Sequence, residues 1–383
     1  MDPIYLDHAA STPVRPEVTA IMVETIADDF GNPSSQHYWG RIANTRLEDA
    51  RQRVASALGV HRTEVYFVRG GTESNNIAIL GRVNLELQKG NTPLVVTSEI
   101  EHKAVLETCN NAIRGNGELG LLQVSTEGEI SPRDFEFWLQ KKPTLISVMT
   151  VNNETGLCLP IKDLAELAQS YDVPIHTDAV QALGRIPMDL TDLSVSLLSL
   201  SGHKINGPKG TGILFVRRGI ELAPLIFGGG QEKGIRPGTQ DVVGAIGISK
   251  ALELSVSEEQ DEGIRIAGLR DTLQTELMNQ ISDLKVHGHN GPRAPHILNV
   301  GIPGLENDTL LANLDMEGIA VSSGSACTSG MNSESHVLSA IYGDVKDTAV
   351  IRFSLGASTT PDEIHKTIEV TTKVIRRMRG QQN

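Results

Sequence analysis

Short apolar runs without polar alternation recur along the chain up to residue 216, and stretches with apolar residues at helical spacing separate them. Strands that are buried on both faces have this continuous apolar pattern, as in a mostly parallel sheet covered by helices. Apolar residues occur at helical spacing from Pro16 onwards and again within residues 42–58. The pattern predicts an α/β fold, with strands at residues 65–68, 94–97, 121–124, 145–149, 174–177, 196–200 and 212–216.

The pattern changes towards the C-terminus, where fewer apolar runs precede a closing helix that begins at Pro361. A charged helical stretch at residues 257–270 separates the two patterns and is typical of a link between domains. A chain of 383 residues suits two domains better than one core. We predict an N-terminal arm at residues 1–15 that packs with the small domain, a large domain at residues 16–259, and a small α+β domain at residues 260–383.

Composition and charge narrow the function classes. Lysine and arginine number 34 against 47 aspartate and glutamate residues, and the net charge of −13 argues against nucleic acid or an anionic membrane as a partner. The three cysteines are far apart, with no C-x-x-C spacing, so a disulfide framework is not expected. The sequence has no basic-then-apolar leader and no run of about 18 apolar residues. We therefore expect a cytoplasmic protein in a reducing compartment.

Lys204 is the first candidate for chemistry, because it follows the apolar strand at 196–200 within the turn Ser201-Gly202-His203-Lys204. Desolvation lowers the pKa of an amine and makes it a nucleophile. Such an amine forms a Schiff base with a carbonyl compound, and pyridoxal phosphate is the commonest cofactor held in this way. A surface lysine in a glycine-rich turn has the same local sequence. This stretch alone leaves both interpretations open.

Other polar residues follow the predicted strands, where ligands of parallel α/β sheets bind. Asp178 can pair with the pyridine nitrogen of the cofactor, or it can cap the next helix. His102 can stack on the cofactor ring, or it can make ordinary hydrogen bonds at a helix start. Asn153 and Gln181 carry amides that can donate to the phenolic oxygen of the cofactor.

A glycine-rich turn at residues 69–76 follows the strand at 65–68 and leads into a predicted helix through Leu80. Backbone N–H groups and the helix dipole hold phosphate in this geometry, although many such turns carry glycine for steric reasons alone. Candidate phosphate contacts are Gly71, Thr72, Ser201 and His203.

Taken together, these motifs resemble the cysteine desulfurases of the IscS/NifS type, in order and over nearly the whole chain. The segments that carry the resemblance are residues 5–7, 31–34, 72–74, 101–103, 151–154, 178–181, 201–210, 236–239 and 322–327. His8 and Ser11 depart from the usual pattern at positions that we interpret as neutral to function.

The resemblance implies a pyridoxal-phosphate-dependent transferase of fold type I, a class V aminotransferase relative that works as a homodimer. It implies that Lys204 binds the cofactor covalently, that Asp178 pairs with the pyridine nitrogen and that His102 stacks on the ring. Asn153 and Arg352 are then the expected substrate contacts, with Arg352 holding the carboxylate. The remaining implied cofactor contacts are Asn153, Gln181, Gly71, Thr72, Ser201, Gly202 and His203, together with Thr239, which reaches the phosphate of the neighbouring subunit.

Cys327 is the third expected catalytic residue, beside Lys204 and His102. By the resemblance, L-cysteine becomes L-alanine and its sulfur remains on Cys327 as a persulfide, which passes to a sulfur acceptor or an iron–sulfur scaffold protein. Small polar neighbours at 322–330 predict a mobile loop around this thiol. We expect no resident metal, although the Cys327 persulfide can transiently ligate an iron–sulfur cluster.

Three rival interpretations stay open. An aminotransferase or a C–S lyase of the same fold, including a selenocysteine lyase, has no need of Cys327. A non-catalytic scaffold has no need of Lys204 or Asp178. A zinc site has candidate ligands in His287, His289 and Cys158, but these lack the spacing of known zinc motifs.

Overall fold

The structure, a computed structural model, describes residues 3–324, 335–343 and 347–380. Its strands are β1 Ile4–Tyr5, β2 Val65–Val68, β3 Leu94–Ser98, β4 Glu118–Leu122, β5 Leu145–Ser147, β6 Ile175–Asp178, β7 Leu197–Ser201, β8 Gly212–Val216, β9 Lys285–His287, β10 Ile297–Pro303, β11 Ile319–Ala320 and β12 Thr348–Ser354. Its helices are α1 Pro16–Asp28, α2 Tyr38–Leu58, α3 Gly71–Gln88, α4 Lys103–Ala112, α5 Pro132–Gln140, α6 Ile161–Ser170, α7 Val242–Gln280, α8 Asn307–Met316, α9 His336–Tyr342 and α10 Pro361–Met378.

A seven-stranded sheet forms the centre of the large domain, in the order β2-β8-β7-β6-β5-β3-β4. The pairs β7–β6, β6–β5, β5–β3 and β3–β4 are parallel, and β8 runs antiparallel to its neighbours β2 and β7. Every residue of β7 and β8 is buried, which explains their unbroken apolar sequences. The predicted α/β class with a mostly parallel central sheet is therefore confirmed.

A second, smaller core lies towards the C-terminus around the antiparallel sheet β12-β10-β9. Leu298, Phe353 and Ile368 are among its buried residues, and Leu273 of α7 packs with them. Helix α7 has 39 residues and runs without a break through the predicted boundary between residues 259 and 260. Strand β1 pairs in parallel with β11, so the start of the described chain lies beside this smaller core.

Two elements differ from the expectation in an instructive way. The edge strand β4 begins at Glu118, and exposed and buried positions are mixed along it. The apolar run of the sequence predicts this strand at residues 121–124. An edge strand is covered incompletely, so it lacks the continuous apolar signal. Helix α3 begins at Gly71, so most of the predicted turn at 69–76 is helical, and Gly70, with φ of +141°, makes the sharp bend alone.

Candidate active site

The predicted site residues meet at the carboxyl edge of the central sheet. Asp178 is the last residue of β6 and Ser201 the last residue of β7. Lys204 lies in the single 3₁₀ turn Gly202–Lys204 that follows β7. Parallel strands end at the same edge, so the side chains that follow them lie together. The strands predicted from continuous apolar runs therefore end at the edge of the sheet where these candidate residues lie.

The N-terminal segment covers Lys204. The Lys204 ammonium nitrogen Nζ donates to the backbone carbonyls of Ala9, at 2.5 Å, and Ala10, at 2.8 Å. The Gln181 amide also donates to the Ala9 carbonyl, at 2.8 Å, and its oxygen lies 3.2 Å from Nε2 of His296. Lys204 is therefore half-buried beneath backbone carbonyls, which argues against the interpretation as a fully solvated surface lysine.

A pocket of about 450 Å³ lies beside the start of helix α3. A methyl group added at Gly71 would lie 2.9 Å from Cγ2 of Val180, so a side chain here would force Val180 to shift. Thr72, Ser201 and His203 line this pocket. Backbone N–H groups at a helix start, combined with hydroxyl and imidazole donors, form a set of groups that suits a phosphate.

His203 enters this pocket as a neutral imidazole. Burial, with the nearby charges of Lys204 and Lys209, lowers the pKa of His203 to about 4. Its Nδ1 lies 3.4 Å from the Ser11 hydroxyl of the N-terminal segment. A neutral imidazole can donate one hydrogen bond to an anion without a change in protonation.

Asp178 is 6% exposed and has a partner for each carboxylate oxygen. Its Oδ1 accepts from the Val180 backbone N–H at 3.0 Å, and its Oδ2 accepts from the Asn75 amide at 2.7 Å. Residues 180–185 form a turn, so Asp178 does not cap an α-helix. Asn75 belongs to the site although the sequence analysis assigned it no role. Its buried Oδ1 has no partner within the described part of the chain.

His102 caps helix α4, because its Nδ1 accepts from the Ala104 backbone N–H at 3.0 Å. The neutral imidazole therefore carries its proton on Nε2. Burial lowers the pKa of His102; the charge of Asp178 opposes this shift, and the charges of Lys204, His336 and Lys103 add to it. The helix-start interpretation is thus correct for Nδ1, and Nε2 remains available for other contacts.

Arg352 extends from β12 across the boundary between the two cores. Its side chain is 3% exposed, and Nη2 donates to Asp7 Oδ1 at 2.8 Å. Nη1 donates to the backbone carbonyl of Asn153 at 2.8 Å. Among the described residues, none accepts a hydrogen bond from the buried Nε. A buried guanidinium with one uncompensated donor suits an incoming carboxylate.

The remaining predicted residues either do not line the pocket beside α3 or lie outside the described chain. Gly202 is buried in the turn, where a methyl group would lie 2.6 Å from Oγ1 of Thr211. Thr239 is exposed and does not line the pocket beside α3. Cys327 lies outside the described residues. His287, a candidate of the zinc hypothesis, bonds to Asn299 Oδ1 at 2.6 Å through its Nδ1.

In the part of the chain that the structure describes, no group of three or more histidine, cysteine, aspartate or glutamate side chains is arranged to hold a metal ion. Within the same residues, every helix is too short or too polar to cross a membrane.

Comparison with known proteins fits this geometry. Residues 4–367 match the family described as aminotransferase class-V. The chain is 43% identical over 377 residues to "Cysteine desulfurase IscS" of Dictyoglomus turgidum, and the alignment covers 98% of this chain and 95% of that protein. The chain therefore belongs to the class-V aminotransferase family, and within it to the cysteine desulfurases of the IscS and NifS type.

Solved structures agree with this assignment. A "NIFS-LIKE PROTEIN" superposes with a TM-score of 0.88 at 32% identity, over 98% of this chain and all of that one (100%). The structure titled "SspA in complex with cysteine" superposes with a TM-score of 0.76 at 34% identity, over 92% of this chain and 98% of that one. The resemblance seen in the sequence motifs is confirmed, and so is the fold that it implied.

Proposed function

We propose that this protein binds pyridoxal phosphate and converts L-cysteine to L-alanine, leaving the sulfur on Cys327 as a persulfide. The observation that carries the proposal is the meeting of Asp178, Lys204 and the pocket beside α3 at one edge of the sheet. The cofactor fits the groups present, because the glycine-lined start of α3 suits its phosphate and the buried Asp178 carboxylate suits a protonated ring nitrogen. Pyridoxal phosphate supplies, when bound, an electron sink for bonds at the α-carbon of an amino acid.

The residues of the chain divide the remaining tasks. Thr72, Ser201, His203 and the backbone at Gly71 and Gly202 hold the phosphate. His102, Asn153 and Gln181 orient the ring, and Asn75 fixes the Asp178 carboxylate. Thr239 reaches the phosphate of a neighbouring subunit in a homodimer.

Four residues hold and transform the substrate. Arg352 binds the carboxylate of L-cysteine, which Asn153 also contacts, and the Lys204 amine moves the α-proton. The Cys327 thiolate attacks the substrate sulfur, so an S–S bond forms while the C–S bond breaks and its electron pair stays on carbon. That carbon takes up a proton, which yields L-alanine and a Cys327 persulfide.

The persulfide then passes to a sulfur acceptor or an iron–sulfur scaffold protein, and it can transiently ligate a cluster there. A cytoplasmic location suits this chemistry, since Cys109 and Cys158 are free thiols.

The first test is the product formed without a second substrate. Purified protein with pyridoxal phosphate and L-cysteine should release L-alanine in amounts equal to the sulfur transferred, with no 2-oxo acid added. The measurement is alanine by amino-acid analysis, with and without a 2-oxo acid. Turnover that depends on the 2-oxo acid would identify an aminotransferase instead.

Arg352→Ala should raise the KM for cysteine by roughly 30-fold or more, since a buried guanidinium–carboxylate pair contributes about 2–4 kcal/mol. The kcat should change much less, because the carboxylate is bound alike before and during the reaction. Steady-state kinetics measures both constants. Asp7→Asn is the matched control, because it removes the charge of the internal partner at 2.8 Å and keeps both an acceptor oxygen and the guanidinium. A KM for Arg352→Ala within error of the original value would remove Arg352 from the substrate site.

A further inference from the structure

Glu154 touches both described ends of the segment that carries Cys327. The Ser335 hydroxyl donates to Glu154 Oε2 at 2.5 Å on the C-terminal side of residues 325–334. On the N-terminal side, a methyl group added at Gly324 would lie 3.3 Å from Cγ and 3.4 Å from Cβ of Glu154. One side chain therefore lies against the residues where this segment starts and finishes.

Glu154 itself is firmly held. It is 3% exposed, its backbone N–H donates to Asn152 Oδ1 at 3.0 Å, and its carbonyl accepts from the Asn299 amide at 3.1 Å. A buried carboxylate on a fixed backbone is a strong acceptor, and it loses little entropy when it orders a neighbouring hydroxyl.

Each end of the segment is also fixed by a second contact. Ser335 accepts from the Leu338 backbone N–H at 3.1 Å and so caps helix α9. Gly324 has φ of +92°, and its N–H donates to the Ser322 hydroxyl at 3.0 Å. The Glu154 side chain thus bonds to a capped helix start through its carboxylate and lies against a glycine turn through its aliphatic part.

The same loop reaches the proposed substrate site. Asn153, the preceding residue, accepts from Arg352 Nη1 at 2.8 Å through its backbone carbonyl. Ser322 pairs with Arg352 in an isolated β-bridge. Consecutive residues of one loop therefore hold the substrate-binding arginine and both ends of the cysteine segment.

We propose that Glu154 is a positioning residue for sulfur transfer, which holds Ser335 and lies against Gly324, the two described residues that flank the segment carrying Cys327. The proposal rests on the proposed function of Cys327. It predicts a defect in the transfer step alone, with binding of pyridoxal phosphate and of cysteine retained.

Glu154→Ala should slow formation of the Cys327 persulfide roughly tenfold in a single turnover, because a charge-assisted hydrogen bond of ordinary strength corresponds to about that factor. Intact protein mass at timed intervals gives this rate. The dissociation constants of pyridoxal phosphate, and of cysteine in a Cys327→Ser background, should stay within about twofold of the original values. Glu154→Gln, which keeps an oxygen for Ser335, should recover most of the rate, and the exposed Glu129→Ala is the matched control.

Ser335→Ala gives a second, smaller change if Glu154→Ala does not fold, and it should slow the same step. The rate at which iodoacetamide alkylates Cys327 offers a readout without turnover, and it should rise in both variants. An unchanged persulfide rate and an unchanged alkylation rate would overturn the proposal, and so would an equal loss of cofactor and cysteine binding. Absence of a persulfide in the original protein would refute the role of Cys327 instead, and the alkylation rates would still decide whether Glu154 holds the segment.

Discussion

Cys327→Ser should carry no persulfide after treatment with L-cysteine, while the unchanged protein gains the mass of one sulfur atom. Alanine formation should fall roughly 10³-fold or more, because removal of an enzyme nucleophile costs at least that much in kcat. Binding of pyridoxal phosphate should be retained, since its proposed contacts come from other residues. The measurements are intact protein mass and alanine yield on the same samples.

Cys158→Ser is the matched control for this experiment. Cys158 is half-buried, and burial raises the pKa of its thiol to about 11, so it is a poor nucleophile near neutral pH. This variant should form the persulfide and alanine normally. Full alanine production by Cys327→Ser would refute the desulfurase mechanism and would favour a C–S lyase.

Lys204→Ala should abolish turnover, with kcat reduced by roughly 10³-fold or more, because the variant loses the amine that binds the cofactor and moves the α-proton. Reduction with borohydride, followed by peptide mass mapping, should locate the cofactor on Lys204 in the original protein. The same treatment of the variant should leave no cofactor attached.

The variant must still bind cofactor for this result to be informative. The pocket beside α3 keeps Thr72, Ser201 and His203 in the variant, so equilibrium dialysis should detect bound pyridoxal phosphate. Lys250→Ala, at a partly exposed lysine that pairs with Glu253, is a control that should behave as the original protein. A cofactor fixed to another lysine in Lys204→Ala would show that Lys204 is not the attachment site.

The sequence predicts the edge of the sheet at which Asp178 and Lys204 lie, and the reason is local. Asp178 and Lys204 directly follow strands whose apolar sequences are unbroken, and a parallel sheet brings such ends together. The glycine-rich start of α3 carried a local signal as well. The patterns of strands and turns were therefore sufficient to predict where these residues lie relative to the sheet.

Other contacts left no local signal. Asn75 meets Asp178 across 103 positions of sequence, and Ser335 meets Glu154 across 181. Each of these residues has an ordinary polar neighbourhood in sequence, and only the packing of separate elements brings the partners together. The roles of Asn75 and Glu154 were for this reason beyond the reach of periodicity and spacing.

The contact between Asp7 and Arg352 joins residues that are 345 positions apart. Domains form as units during synthesis, beginning at the N-terminus, so the central sheet can take shape while residue 352 is still unmade. The carbonyls that cover Lys204 belong to the same segment as Asp7. Thr12 and the Lys204 contacts hold this segment against the central sheet, whereas its start pairs with β11 and with Ser354 of β12. A nascent chain on the ribosome therefore lacks the contact between Asp7 and Arg352 until β12 has been translated, and the proposed carboxylate clamp is completed only at that stage.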